Sequence, residues 1–494
     1  VTQVTSLRES LAPVAGVLRT MLLELGYETT AVHDTTRREA PVRRWLVMAA
    51  TGCAATTVLT LATSGLLPGP TLTTAVSVVA MGLLVLAWLG LGRDLQHLTT
   101  RRLYAITAAW SVPLLAARPL FSNDVWSYVA QGLTAARGLD PYRLGPAQAL
   151  DPSSEVVGHV SHYWLDTPAP YGPAWMLLSR LAGLVAGENL VLSVVLYRLL
   201  VVAGVVLIAW SLPFLARRSG TAAGTALWLG LANPLVLWHL VAGVHNDALM
   251  LGLMLAGMRL VLTGLETRPA HGRLAAGAGM ITLAASVKIV AAAALLGLCL
   301  VAVRRCARPV PAIALMVSVF AAVTVILSAL TGFGWVTAPF TATTSVYSWM
   351  SPTTLTGLLV GFFHSGLTAS AVSAANLLGL IIATPVVIRL LLGLRDGMDP
   401  VRGIGLLFVV TLLASPVVQP WYLLWALLPL AASAAGDRAA RPLVIFSAVT
   451  AMVLPPFVTG GVSLGIGYAA AVLALGAGLW MLRRTGRLLV LQTA

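Results

Sequence analysis

The sequence predicts an all-α polytopic membrane protein, a bundle of about 13–14 transmembrane helices with interfacial helices in the outer loops. Three observations lead there. Of 494 residues, 58 % are hydrophobic and only 10 % charged, where soluble domains carry about 25 % charge. Apolar runs approaching 20 residues, the length a membrane-crossing helix needs, recur along the chain. Arginines fall in every second gap between these runs, the pattern of the positive-inside rule. A soluble enzyme and a disordered chain are both excluded. The charge balance is +14, from 31 Lys+Arg and 17 Asp+Glu. In a soluble protein that excess would suit nucleic acid; here topology accounts for it, and the expected partner is membrane lipid, not nucleic acid.

The expected spans are about 45–66, 72–92, 103–120, 190–215, 221–242, 247–265, 273–287, 289–303, 310–331, 370–393, 403–418, 421–435, 443–459 and 463–482. Arg37, Arg38, Arg43 and Arg44 precede the first, and Arg93, Arg101 and Arg102 follow the second. Residues 273–303 read as two short segments turning near Lys288, because one long helix would carry Arg304, Arg305 and Arg308 to the outer side. Both termini are then cytoplasmic. The domains read as a cytoplasmic segment 1–44, a transmembrane domain 45–482 and a cytoplasmic tail 483–494. Within the first, residues 4–25 carry Leu7, Leu11, Val14, Leu18, Leu22 and Leu25 at helical spacing, an amphipathic helix. The first 40 residues lack a compact apolar region, so no cleavable signal peptide is expected. Cys53, Cys299 and Cys306 have neither metal-ligand spacing nor a disulfide framework.

Two loops on the opposite side are long, about 121–189 and 332–369. Long loops in compact proteins are usually functional. The first holds Asp124, Asp140, Asp151, Glu155, Asp166 and Glu188; Asp247 is the other acid on that side. The second holds Trp335, Tyr347, Trp349 and the apolar stretch 355–363.

Chemistry-bearing residues gather at this boundary. In Arg118-Pro-Leu-Phe-Ser-Asn-Asp124-Val-Trp-Ser-Tyr128-Val-Ala-Gln131-Gly132, Asp124, Tyr128 and Gln131 share one helical face. Two readings fit Asp124: an acid in the first turn behind a Ser122 or Asn123 cap, or a general base within reach of a substrate hydroxyl. Gly138-Leu-Asp-Pro-Tyr142 reads as a turn whose tyrosine is a plug or a sugar platform. Thr167-Pro-Ala-Pro-Tyr171-Gly-Pro173 leads into a short helix over 174–185, with Tyr171 and Trp175 as interfacial anchors. His245-Asn246-Asp247 is either a helix cap or a functional cluster. Lys288, the single lysine, either snorkels or offers a cation to an anionic lipid headgroup. Gln419-Pro-Trp421-Tyr422 follows a proline break, its aromatics fitting an interfacial belt. A lone Asp124 without a neighbouring carboxylate argues against an intrinsic divalent-metal site; no cofactor is expected, and metal dependence stays open.

In this order the motifs resemble the polyprenyl-phosphate-mannose-dependent α-(1→6)-mannopyranosyltransferases of the GT-C superfamily. The resemblance rests on Phe121-Ser-Asn-Asp124, Gly138-Leu-Asp-Pro-Tyr142, Tyr171-Gly-Pro173, Asn233-Pro-Leu-Val-Leu, His245-Asn-Asp-Ala-Leu-Met-Leu-Gly and Pro420-Trp-Tyr422. One departure is Gln419, where the family pattern leads one to expect histidine. The resemblance implies a GT-C-like bundle in a bacterial plasma membrane, with its active site on the outer, periplasmic face. It implies inverting transfer of mannose from polyprenyl-phosphate-mannose to a lipid-linked mannan acceptor of lipomannan and lipoarabinomannan. Asp124 would be the catalytic base. Lys288, with Arg118, His245, Asn246, Asp247 and Gln419, would hold the donor phosphate and sugar. Tyr128, Gln131, Tyr142, Tyr171, Trp349, Trp421 and Tyr422 would line the acceptor path. A lipid-linked sugar flippase and a GT-C enzyme for another sugar, such as arabinose, are the alternatives.

Overall fold

The computed structural model describes residues 43–266, 270–338, 348–457 and 461–484, with side chains of the last helix described only to 477. The expected amphipathic helix at 4–25, Arg37, Arg38, Tyr347 and the tail beyond 484 lie outside the described residues.

Every expected span is met by helix. In chain order these are α1 (Arg43–Leu61), α2 (Pro70–Arg93), α3 (Thr100–Ala116), then α4 (Asp124–Ala136) and α5 (Pro173–Ala186) within the first long loop. Next come α6 (Leu190–Arg218), the bent α7 (Ala223–Leu231 and Val236–Ala242), α8 (Asp247–Gly264), α9 (His271–Ala285), α10 (Ala292–Arg305) and α11 (Pro309–Thr331). The remainder are α12 (Pro352–Phe363) in the second long loop, α13 (Thr368–Asp396), α14 (Pro400–Ala414), α15 (Leu423–Ala432), α16 (Asp437–Val453) and α17 (Gly461–Arg484). Among the described residues, six helices are long and apolar enough to cross a membrane, and the bent α7 makes up to a seventh. The protein is thus an all-α, multi-pass membrane protein; α5, α12, α14, α15 and, over 461–477, α17 are apolar but shorter.

Three expectations change. The span expected at 221–242 is broken, its limbs meeting at 61°. Pro234 has no N–H to continue the ladder, and Asn233 replaces it, its Oδ1 accepting from the Leu235 N–H at 2.9 Å while its Nδ2 donates to Leu229 O and Ser447 Oγ, both at 2.8 Å. The span expected at 443–459 lies earlier, ending at Val453, because Pro455 and Pro456 follow. The 403–418 span ends at Ala414, ahead of Pro416. The division near Lys288 is observed: α9 stops at Ala285 and α10 starts at Ala292.

α8 is the most enclosed long helix, packed between α6 and α9, whereas α11 and α13 turn their apolar side chains outward. Outward apolar faces are what lipid solvates, so contacts between helices rest on close packing. Close packing that bears on the site joins α4 to α5. A Cβ at Gly132 would lie 2.4 Å from the Ser179 carbonyl oxygen, and one at Gly183 would lie 2.6 Å from the Gly132 oxygen. These small residues let the two loop helices touch backbone to backbone.

Candidate active site

The first element of the site is a strained turn. Phe121 adopts φ 65° without being glycine, a conformation that costs free energy and is kept only where surroundings enforce it. Its N–H donates to Pro456 O at 2.7 Å, and its ring stacks on Trp238 and meets His239 edge-on. The turn releases the chain into α4 with Asp124 as its first residue, the Asp124 N–H donating to Ser122 Oγ at 3.0 Å.

Asp124 is nearly buried, its side chain 12 % exposed. Burial pushes its carboxyl up to about 6; Lys288 pulls it back, Asp247 raises it, and hydrogen bonds from Ser122 and Trp164 lower it. A carboxylate of that strength is ionised at neutral pH and still a competent base.

The second element is the sharp entrance to α8. Val244 is also held at positive φ, 56°, although β-branched. It delivers His245, Asn246 and Asp247, all fully buried. His245 Nδ1 lies 3.6 Å from Asp124 Oδ2, and its ring stacks on Trp421 at 3.7 Å and 20°. The cap reading of this motif is overturned: Asn246 makes no capping bond. The Asp247 carboxylate instead accepts from Lys288 Nζ and from the Trp425 indole N–H, both at 2.6 Å.

Lys288 therefore neither snorkels nor stands free. It sits in the α9–α10 turn with its side chain 12 % exposed. Its ammonium is 4.7 Å from the Tyr422 ring centre and 5.9 Å from those of Tyr171 and Trp425, within cation–π range. An acid and three ring faces thus hold the chain's one lysine beside Asp124.

The Tyr171-Gly-Pro173 motif docks on that turn. Gly172 N–H donates to Val287 O at 3.1 Å, and the Ala174 and Trp175 N–H groups donate to Ser286 O at 2.9 and 3.3 Å. These donors at the start of α5 have no partner within the helix, and Pro173, having no N–H, needs none. Tyr171 and Trp175 are buried, 5 % and 1 % exposed, and both pack edge-on against Tyr128. They are not interfacial anchors, since the α4–α5 contact covers them.

The remaining predicted residues divide. Gln131 is buried one turn beyond Tyr128 with both amide atoms unpartnered among the described residues. Trp421 and Tyr422 belong to the cluster, Tyr422 stacking on Trp425 at 4.2 Å, so they are more than an aromatic belt. Gln419, half-buried, immediately precedes them. Tyr142 is a plug: a Cβ at Gly334 would meet its side chain at 2.4 Å, so it joins the two long loops. Trp349 is 56 % exposed and Arg118 is exposed. Sequence reasoning missed Trp425 and Trp164. Trp425 had a signal, lying four residues after Trp421 on the same helical face; Trp164 had none. The expectation that Asp124 lacks a neighbouring carboxylate is corrected, since Asp247 lies near enough to raise its pKa; among the described residues, no three His, Cys, Asp or Glu side chains gather as a metal-ligand set.

A family model described as the α-(1→6)-mannopyranosyltransferase N-terminal domain matches residues 31–304, and one described as the MptB C-terminal domain matches 350–484. An α-(1→6)-mannopyranosyltransferase of Mycobacterium tuberculosis is 38 % identical over 410 residues, covering 71 % of this chain and 69 % of the relative. The α-(1→6)-mannopyranosyltransferase A of the same organism is 35 % identical over 399 residues, covering 77 % and 74 %. The B enzyme of Corynebacterium glutamicum is 32 % identical over 386 residues, covering 72 % and 64 %. No solved structure matches. The class is therefore a multi-pass membrane mannosyltransferase. Within it, the chain belongs to the α-(1→6)-mannopyranosyltransferase family.

Proposed function

We propose that this enzyme transfers mannose from polyprenyl-phosphate-mannose to a lipid-linked mannan acceptor of the lipomannan type, at the outer face of a bacterial plasma membrane, with both termini cytoplasmic. The observation that carries the reading is the convergence of Asp124 with the Lys288–Asp247 pair inside an aromatic wall. The base and the cation then serve opposite ends of one displacement.

Asp124 takes the proton of the acceptor 6-hydroxyl. The oxygen attacks C1 of the β-linked donor from the face opposite the phosphate, the C1–O bond to phosphate breaks, and the α-linkage forms. Polyprenyl phosphate departs with the bonding electron pair, and the proton remains on Asp124 until solvent removes it. One base and direct attack suffice for inversion, so no second carboxylate is needed as nucleophile. The leaving phosphate needs positive charge instead. Lys288 supplies it by turning from Asp247 toward the phosphate, and the ring faces of Tyr171, Tyr422 and Trp421 suit a sugar's apolar faces. The polyprenyl chain stays in lipid, each buried CH₂ contributing about 0.8 kcal/mol.

The test is purified Asp124→Asn with labelled polyprenyl-phosphate-mannose and an α-(1→6)-mannoside acceptor. Loss of the base lowers kcat by about 10²–10⁴ with the fold intact by thermal melting. Near-normal transfer removes Asp124 from this role.

A further inference from the structure

Two buried histidines have no part in that reaction. His245 and His239 are 0 % and 1 % exposed, and neither ring nitrogen of either has a hydrogen-bond partner among the described residues. Buried polar groups are normally satisfied, so the position of the nearer one is informative. His245 Nδ1 faces Asp124 Oδ2 at 3.6 Å, a few tenths of an ångström beyond hydrogen-bond range. Two features hold the imidazole there. Its face is stacked on Trp421, which permits sliding in the ring plane and resists tilting. Its backbone follows the strained Val244. Catalytic hydrogen bonds are often long in unliganded enzymes and tighten once substrate binds.

We propose that His245 is a positioning residue for Asp124: its Nδ1–H closes onto Oδ2 in the substrate complex, sets the rotation of the carboxylate and leaves Oδ1 to receive the acceptor's proton. The inference rests on Asp124 being the base and removes His245 from the phosphate-binding set. The imidazole stays neutral, keeps its Nδ1 proton throughout and exchanges none; the acceptor's proton ends on Asp124 Oδ1. The other groups facing Asp124 are the Lys288 ammonium, the Asp247 carboxylate, Ser122, Trp164 and the phenols of Tyr128, Tyr171 and Tyr422. His239 stands behind His245, 6.4 Å between ring centres.

The test is the acid limb of the kcat–pH profile, measured on the full-length protein in detergent with labelled polyprenyl-phosphate-mannose. Limb position does not depend on the fraction of folded enzyme. His245→Phe keeps a ring on Trp421 and removes the donor. The carboxylate then loses a bond to its charged form, and the limb moves up by about one pH unit. His245→Asn places an N–H near the lost Nδ1 and restores the limb; His245→Gln places it farther out and does not. Should His245→Phe give no turnover, the Asn–Gln contrast decides. An unmoved limb in His245→Phe, or equal limbs in the Asn and Gln variants, overturns the proposal. Asp124→Asn is assayed in parallel: its near-normal activity refutes the base itself, whereas an inactive Asp124→Asn beside an unmoved His245→Phe limb refutes only the positioning role.

Discussion

Gly172→Ala probes how tightly the site is assembled from distant pieces. The backbone at Gly172 is ordinary, φ −72°, so alanine meets no conformational penalty and the effect is purely steric. The new Cβ would lie 2.4 Å from Ser286 O, 2.7 Å from its carbonyl carbon and 3.0 Å from its Cα. Ordinary contact begins at 3.4 Å, so the 286–288 turn must retreat by about 1 Å, a displacement on the scale of a lost catalytic alignment. All three atoms are backbone, and none can rotate aside. Overpacking of this kind costs about 1–3 kcal/mol, and the Trp175 N–H bond to Ser286 O, already 3.3 Å, opens. Lys288 moves with the turn, and a misplacement of about 1 Å lowers kcat on the order of 10²-fold. The assay is initial-rate mannosyl transfer together with thermal unfolding, with Gly158→Ala as control because no atom lies within 4 Å of its added Cβ. A Gly172→Ala enzyme with both the melting temperature and the kcat of the control would show that the motif does not hold the lysine turn in place.

Two further outcomes follow from the charges. Lys288→Met leaves the Asp247 carboxylate buried without its cation, at a cost of about 3–5 kcal/mol. The double variant Asp247→Leu/Lys288→Met regains much of that stability in thermal melts but no activity; strictly additive losses would mean the two are uncoupled. Asp124 titrates near 6 in the fold against an ordinary 3.8, so the fold favours its protonated form. That contribution is complete below about pH 4 and is lost as pH rises through 6. At neutral pH the ionised acid therefore costs about 2–3 kcal/mol, and Asp124→Asn melts higher than wild type at pH 7 while the two converge at pH 4. Equal melting at pH 7 contradicts this.

Local patterns carried much of the architecture. The apolar runs became helices, and the turn at Lys288 was legible because arginines 304, 305 and 308 required an extra reversal. Errors arose where proline chemistry set the limits: Asn233-Pro234 bends α7, and Pro455-Pro456 ends α16 six residues before its expected end. At the site, Asp124, Tyr128 and Gln131 were placed correctly on one face by helical period alone. Tyr171 and Trp175 were misread because their spacing fits an interfacial helix equally well; only the contact of α5 with α4 buries them.

The amino-acid sequence alone determined the helical membrane class, the positions of the apolar segments and a shortlist of polar residues for the site, because hydropathy and helical period act over a few neighbouring residues. The pairing of Asp247 with Lys288, 41 positions apart, and with Trp425, 178 positions away, was decided by the tertiary structure. So was the placing of His245 against Asp124. Such contacts depend on which helices pack together and at what angle, and no local pattern encodes that.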